Sequence, residues 1–267
     1  MTTRRPDCGR RGDCGILEAA RPTSCGTGAV PFLRPAPRVW FFDMDDTLLA
    51  SSAGILGEVH VLMNNFLMRR LGMSEAEANR VRELYWREYG STFIGLWRRH
   101  GVDPRVFLPA VHDFDYRPYL KDVRGQRGVL ERLSGRKVLL TNGPRSYVSK
   151  LLPALGLKGY FEAEVTSTDM RLFGDWRPKP SVSMLLALCA RLGVRPHEAA
   201  LVDDGLSNLK AARRAGLVTV WCVGMRRRHA GLRPPFGAPA AHPAVDVVVR
   251  DVGELARRFG RNKGFEK

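Results

Sequence analysis

The sequence is short of cysteine, of acidic residues and of long apolar runs, and each shortage excludes something. Five Cys are spread over 267 residues, too few to staple a fold that lacks a core of its own. Cys8, Cys14 and Cys25 follow no metal-ligand spacing and no Cys-x-x-Cys occurs. Cys189 and Cys222 stand among apolar neighbours, as small core residues do. This usage fits a reducing, cytoplasmic compartment. No apolar stretch approaches the ~18 residues that a spanning helix needs, so no membrane partner is expected. The early arginines are not followed by the ~7–15 apolar residues of a secretory leader. Helix-turn-helix, zinc-finger and RNP-like segments are also missing, which leaves a nucleic-acid-binding reading without a recognition module. No signal of oligomeric state is present.

Against only 27 acids stand 43 Lys and Arg, a net charge of +16. The excess is +3 in residues 1–37, +7 in 38–225 and +6 in 226–267. Such a surface attracts anions, phosphorylated metabolites and nucleic acid among them. Hydrophobic residues make up 44% and charged residues 26%, the balance of a globular chain with a sizeable core. The length suits one large domain or two modest ones.

Residues 1–37 are rich in Gly, Pro, Arg, Ser and Thr and show no apolar period, so they read as a disordered basic arm. Order begins at Val39-Trp40-Phe41-Phe42, a short apolar run of the kind a strand buried on both faces shows. A helical block follows over 54–111. Ser74-Glu75-Ala76-Glu77 has the form of a capping box, after which Ala78, Val81, Leu84 and Tyr85 recur at helical spacing. From about residue 125 helices alternate with short apolar strands. The strands are expected at 138–141, 163–166, 200–202, 218–223 and 245–249, and the helices at 129–133, 146–155, 182–192, 206–215 and 255–259. That alternation implies an α/β fold, a Rossmann-like, mostly parallel sheet with helices on both faces. The block at 54–111 is too long for a crossover and reads as an inserted, all-helical cap. The expected division is 38–53 and 117–260 for the core domain, 54–116 for the cap and 261–267 for a tail. Residues 226–243, with Arg226-Arg227-Arg228, read as a basic loop.

Phe42-Asp43-Met44-Asp45-Asp46-Thr47 puts three acids within four positions at the carboxyl end of a predicted central strand, the edge where open α/β sheets bind ligands. Clustered carboxylates repel one another unless a cation neutralises them, and Mg²⁺ takes such hard oxygen ligands. Val202-Asp203-Asp204-Gly205 is a second acidic cluster at a strand end. Parallel strands expose their carboxyl ends together, so the two clusters converge although 161 positions separate Asp43 from Asp204. An acidic turn capping the next helix is the alternative for each cluster taken alone. Thr141-Asn142-Gly143 offers a hydroxyl and backbone N–H groups at the same edge. Lys179 lies between Pro178 and Pro180, which restrict its backbone.

Asp43-Met44-Asp45-Asp46-Thr47, Thr141, Lys179 and Asp203-Asp204, in that order over roughly 38–223, resemble the motif set of the haloacid dehalogenase-like hydrolase superfamily in its subfamily IA phosphatase branch. The inserted helices resemble its type 1 cap. Ser51-Ser52, Tyr85-Trp86-Arg87-Glu88-Tyr89-Gly90 and Asp203-Asp204-Gly205-Leu206-Ser207-Asn208 are similar to segments of the pyrimidine 5′-nucleotidases. Asp46 stands where that group commonly has Asn, and Gly205 where it has Ser. The resemblance implies a Mg²⁺-dependent phosphomonoester hydrolase acting on UMP- or CMP-like nucleoside monophosphates. It implies Asp43 as the nucleophile that forms an aspartyl-phosphate, and Asp45 as general acid and then base. Thr141 and Asn142 would hold the phosphoryl group and Lys179 would balance charge. Asp43, the Asp45 carbonyl and Asp204 would ligate the metal, with Asp203 joining directly or through water. Asn208 would brace the metal loop. In the cap, Glu88 and Tyr89 are candidates for contact with the nucleoside, while Trp86, Trp97 and Phe93 are expected to pack the cap interior.

Three other readings compete. A phosphatase for phosphoglycolate or a sugar phosphate, or a phosphoglucomutase, belongs to the same superfamily, and the cap decides between them. A haloacid dehalogenase shares the Asp nucleophile but needs neither metal nor second acid, so Asp45 and Asp203-Asp204 argue against it. A basic, non-catalytic nucleic-acid-binding protein has the charge in its favour and the motif set against it.

Overall fold

The computed structural model describes residues 36–120, 126–225 and 242–260. The basic arm up to residue 35, the loop at 226–241 that carries Arg226–Arg228, and the tail at 261–267 lie outside the described residues.

Six strands make one parallel sheet in the order β3-β2-β1-β6-β7-β8. They are β1 (Val39–Phe42), β2 (Arg136–Leu140), β3 (Ala163–Val165), β6 (Ala199–Asp203), β7 (Val218–Cys222) and β8 (Val247–Val249). All four residues of β1 are buried, because helices cover both faces. The pleat sends Trp40 and Phe42 into one core layer and Val39 and Phe41 into the other. The first layer is closed by α5 (Gln126–Leu130), α6 (Arg145–Ala154) and α9 (Val252–Phe259), and the second by α7 (Val182–Arg191) and α8 (Leu206–Ala215). From β1 the chain builds outward through β2 to β3, then returns to β6 on the other side. The strand order therefore reverses at β1, and a crevice opens there at the carboxyl ends. Register fixes what faces it. Phe42 lies opposite Leu139 and Val202, and the ladder continues with Asp43 N–H donating to Val202 O at 2.9 Å.

Between β1 and β2 stand the four cap helices: α1 (Ile55–Leu71), α2 (Glu75–Tyr89), α3 (Thr92–His100) and α4 (Pro104–Val111). They bury a core of their own that includes Leu67, Tyr85, Leu96, Phe107 and Val111. The Ser74–Glu77 capping box forms and opens α2. Gly90 ends it in the left-handed conformation, φ 73°. Ala78 and Tyr85 are buried as their spacing implies, but Leu84 is exposed. So is Trp86, at 59%, which corrects the expectation that it packs the cap interior; Phe93 and Trp97 do pack there. Among the described residues no helix is long and apolar enough to cross a membrane.

Elsewhere the elements stand close to their expected places, except that α5 runs over Gln126–Leu130 rather than 129–133, with three further differences. Helix α9 starts at Val252 rather than near 255, because the Asp251 carboxylate accepts from Glu254 N–H and caps it. The last strand is limited to Val247–Val249, since Val245 N–H is turned back to His242 O. A hairpin of β4 (Arg171–Leu172) and β5 (Asp175–Trp176) was not foreseen. Its two-residue strands are too short to show a period. Its turn places Phe173 as well as Gly174 at positive φ, without the Asn-Gly signature that such a turn usually carries.

The approach of α3 to α2 depends on Gly95, where an added Cβ would lie 2.2–2.5 Å from Tyr85 side-chain atoms. Gly95→Ala is expected to lower stability by about 1–3 kcal/mol through overpacking, read as a lower urea midpoint. An unchanged midpoint would show that the two helices separate freely.

Candidate active site

The carboxyl ends of β1, β2 and β6 deliver most of the residues named from sequence to one place. Asp43 follows β1 directly and is almost fully buried. Lys179 comes from the loop before α7, and its Nζ lies 2.7 Å from Asp43 Oδ1 and 2.8 Å from Asp203 Oδ2. Burial would lower the pKa of this ammonium, but the Asp203 and Asp43 carboxylates hold it above its ordinary value. Burial pushes the Asp43 carboxyl well up; Lys179 opposes this, and the Asp203, Asp204 and Asp45 charges add to it.

After Asp43 the backbone turns tightly, with Leu48 and Leu49 N–H donating to Met44 O. Asp46 occupies the left-handed region at φ 55°, a conformation that Asp and Asn tolerate better than most residues. Its carboxylate accepts from Ser52 N–H at 2.9 Å and from Ser52 Oγ. Asp46 therefore braces the turn, and the turn presents Asp45. One oxygen of Asp45, Oδ1, accepts from both Ser51 Oγ and Tyr147 OH, each at 2.5 Å. Burial raises the Asp45 pKa and these two hydroxyls pull it back.

Thr141 is fully buried, and its Oγ1 accepts from Gly143 N–H at 3.0 Å. Asn142 clamps the backbone of Lys179: its Nδ2 donates to Lys179 O at 2.9 Å and its Oδ1 accepts from Lys179 N–H at 3.0 Å. Its side chain is thus engaged in placing the lysine. In the second acidic cluster, Asp203 Oδ1 accepts from Gly205 N–H at 2.8 Å and from Asn208 Nδ2 at 2.9 Å. A Cβ at position 205 would lie 3.0 Å from that oxygen and 3.0 Å from Asn208 Nδ2, so Gly leaves this loop room that a side chain would have to gain by shifting them.

Asp43, Asp203 and Asp204 each offer a carboxylate oxygen within 4.8 Å of the others. The three carboxylates outnumber the one Lys179 ammonium, which contacts Asp43 and Asp203. A divalent cation with hard-oxygen preference fits both that charge and that donor set.

A cavity of ≈ 460 Å³ opens over Asp43, Asp45 and Lys179. Its apolar wall includes Val59, Met63, Trp86, Phe93 and Phe107, and Arg82, Glu83, Ser91 and His112 give it polar groups. Glu88 and Tyr89, proposed from sequence, are not brought to it. Glu88 is exposed; it lies about 200° round α2 from the cavity-lining Trp86. Tyr89 accepts from Arg99 Nε at 3.0 Å through its hydroxyl. The cavity side of α2 is formed by Arg82, Glu83 and Trp86 instead. Sequence reading missed Tyr147, Arg82, Ser91 and His112. Tyr147 lies on the apolar face of α6, and the other three become neighbours only when the cap closes its own core.

Residues 37–216 match the family model described as haloacid dehalogenase-like hydrolase. The chain belongs to that family. Among curated relatives it is 26% identical to Phosphate metabolism protein 8 of Saccharomyces cerevisiae, over 68% of this chain and 60% of that protein. It thus spans less than two thirds of that relative's length. It is 32% identical to a glyceraldehyde 3-phosphate phosphatase of Methanopyrus kandleri, over 67% of this chain and 81% of the relative. A HAD phosphatase crystal structure from Thermococcus onnurineus shares the fold at a TM-score of 0.51 and 24% identity, over 82% of this chain and 96% of that one.

The cavity of this haloacid dehalogenase-like chain also holds a histidine shifted from its ordinary range. Burial pulls His112 down to about 4; its Nδ1 bonds Leu108 O at 2.8 Å and its ring lies 5.1 Å from that of Tyr147. The folded state thus resists a proton that the unfolded chain accepts below about 6.5, so this group's contribution is lost as pH falls from about 6.5 towards 4. The unfolding midpoint of the unaltered protein is expected to drop more steeply over that interval than that of His112→Gln. Parallel curves would contradict the assignment.

Proposed function

We propose that this protein is a Mg²⁺-dependent phosphomonoester hydrolase that works through an aspartyl-phosphate, and that its substrates are pyrimidine nucleoside monophosphates of the UMP and CMP kind. The observation that carries the first part is the pair of carboxyls, Asp43 and Asp45, facing one cavity with Lys179 on the first of them. Asp43 and Asp204 would hold Mg²⁺, with the Asp45 carbonyl and, directly or through water, Asp203. When bound, the ion would neutralise the repulsion between the carboxylates and the phosphate.

The chemistry of the chain's own groups follows. A carboxylate oxygen of Asp43 bonds to phosphorus as the ester P–O bond breaks, and the proton of Asp45 passes to the leaving alkoxide. Burial raises the Asp45 pKa, the direction that suits a proton donor. Asp45, now ionised, takes a proton from water, whose oxygen bonds to phosphorus as the bond to Asp43 breaks. Lys179 stays beside Asp43 through both steps and balances its charge. Thr141 donates to a phosphoryl oxygen. Asn142 acts through the lysine backbone it clamps. Ser51 and Tyr147 keep Asp45 in one orientation.

The second part rests on the cavity and on the cap segments. A volume of ≈ 460 Å³ lies in the range of sites for drug-sized ligands and exceeds what a two-carbon phosphate ester fills. Trp86 and Phe93 give it aromatic surface for a base. A second reading, a phosphatase for a sugar phosphate or phosphoglycolate, is favoured by the 32% identity to a glyceraldehyde 3-phosphate phosphatase and by 30% identity to a phosphoglycolate phosphatase of Chromobacterium violaceum. The cysteine usage supports a cytoplasmic setting.

A panel of UMP, CMP, AMP, phosphoglycolate and sugar phosphates, assayed with and without Mg²⁺, tests both parts. UMP and CMP are expected to lead in kcat/KM by about tenfold, with no turnover once the metal is chelated. Slow pyrimidine nucleotides beside another rapid class would overturn the substrate assignment, and no turnover of any ester would overturn the phosphatase. Asp43→Asn is expected to cut turnover by about a thousandfold or more with an unchanged circular dichroism spectrum. Near-normal activity would remove Asp43 as nucleophile.

A further inference from the structure

The cap side of the cavity carries polar groups that the proposed reaction does not use. Ser91 stands just ahead of α3, at the position from which a hydroxyl usually caps a helix, yet its side chain caps nothing. It is 7% exposed and lines the cavity, and its Oγ has no hydrogen-bond partner among the described residues. Arg82, on α2, lines the same cavity. Its Nη2 donates to Asn79 Oδ1 at 3.2 Å and lies 3.9 Å from Glu83 Oε1, but its Nε is buried and has no partner among the described residues. Thr92 Oγ1 donates to Arg82 O at 3.2 Å, so the two segments are tied together.

Buried polar groups are as a rule paired, and an unpaired one needs a reason. Two such groups on one wall of a cavity have a common reason in a ligand. Arg82 brings a cationic N–H donor and Ser91 an O–H donor. What both satisfy is a planar oxygen acceptor with its lone pairs in plane, a carbonyl or a carboxylate. Trp86 and Phe93 line the same cavity and suit the apolar part of such a group.

We infer that Arg82 and Ser91 form a specificity subsite that recognises a carbonyl or carboxylate oxygen on the leaving group of the phosphate ester. This rests on the reading above, in which the phosphoryl end sits at Asp43. The acceptor could come from the ring carbonyl of a pyrimidine or the carboxylate of a small phosphorylated acid, and the experiment separates the two. Arg82 and Ser91 are positioned for selection, so the effect belongs in binding rather than in the chemical step.

Calorimetric titration of the Asp43→Asn protein with Mg²⁺ present measures affinity independently of turnover. The probes are UMP, CMP, phosphoglycolate and phenyl phosphate, the last an ester with no carbonyl. The expected result is that Arg82→Met and Ser91→Ala each weaken at least one carbonyl- or carboxylate-bearing ester about tenfold or more relative to phenyl phosphate. A selective loss of UMP and CMP assigns the subsite to a base carbonyl; a selective loss of phosphoglycolate assigns it to a carboxylate. Arg82→Lys, which keeps the charge but not the directed Nε donor, is expected to restore the second and not the first. Equal losses for all four probes, no loss for any, or no binding of any would overturn the inference. Ser91→Ala keeps the test open should Arg82→Met fail to fold. Selective binding in a protein whose unaltered form hydrolyses none of these esters would leave the subsite standing and remove the phosphatase.

Discussion

One buried ammonium holds the site together. Lys179 joins Asp43, at the end of β1, to Asp203, at the end of β6, through contacts of 2.7 and 2.8 Å. These strands meet where the order of the sheet reverses, so the bridge spans the crevice that the topology creates. Two carboxylates buried this close repel strongly, and the ammonium is what lets them share the space. Its own placement is controlled from two further directions. Asn142, beyond β2, bonds both the N–H and the carbonyl of the lysine. From the cap, Gly90 comes so near that an added Cβ would lie 2.5 Å from Pro180 Cδ. Removing the Lys179 charge would leave two buried carboxylates facing each other without the ammonium that bridges them, a change felt by the fold as well as by the chemistry.

Core and cap divide the work. The core supplies groups on short turns from parallel strands, where the ladder fixes their positions to within the precision of the sheet. Asp45 is the example: its turn is braced by Asp46 and its carboxyl is held by Ser51 and Tyr147. A carboxyl kept partly dry yet hydrogen-bonded suits a group that must give up a proton and take it back. The cap supplies Arg82, Glu83, Trp86 and Ser91 to the cavity wall. Its helices hold together by their own core, so the lining can vary without disturbing the strands below. The positive charge spread over the chain suits an anionic ligand at every stage of approach.

Much of this was legible in the sequence, for reasons particular to its elements. Val39–Phe42 announced a doubly covered strand, and the Ser74–Glu77 box announced the start of α2. Acids at strand ends could be placed together because parallel strands share a polarity, which is how Asp43 and Asp203-Asp204 come to lie within one cluster. The hairpin at Arg171–Trp176 was invisible, since two residues carry no period and its turn uses Phe173. Cap residues were the hardest to place. Helical spacing gives the buried face of α2, but the cavity looks onto its flank, where Arg82, Glu83 and Trp86 stand rather than Glu88 and Tyr89. Tyr147 was hidden because a tyrosine on an apolar helix face reads as packing, and its hydroxyl bond to Asp45 crosses 102 positions.

The central claim is that a side-chain oxygen of Asp43 takes the phosphoryl group. Mixing the protein with Mg²⁺ and a turned-over phosphate ester, quenching in acid within one turnover and mapping the peptides by mass spectrometry tests it directly. A phosphoryl adduct is expected on the peptide that contains Asp43, absent from Asp43→Asn. A burst of phosphate with no adduct on that peptide, or with the adduct on another residue, would contradict it.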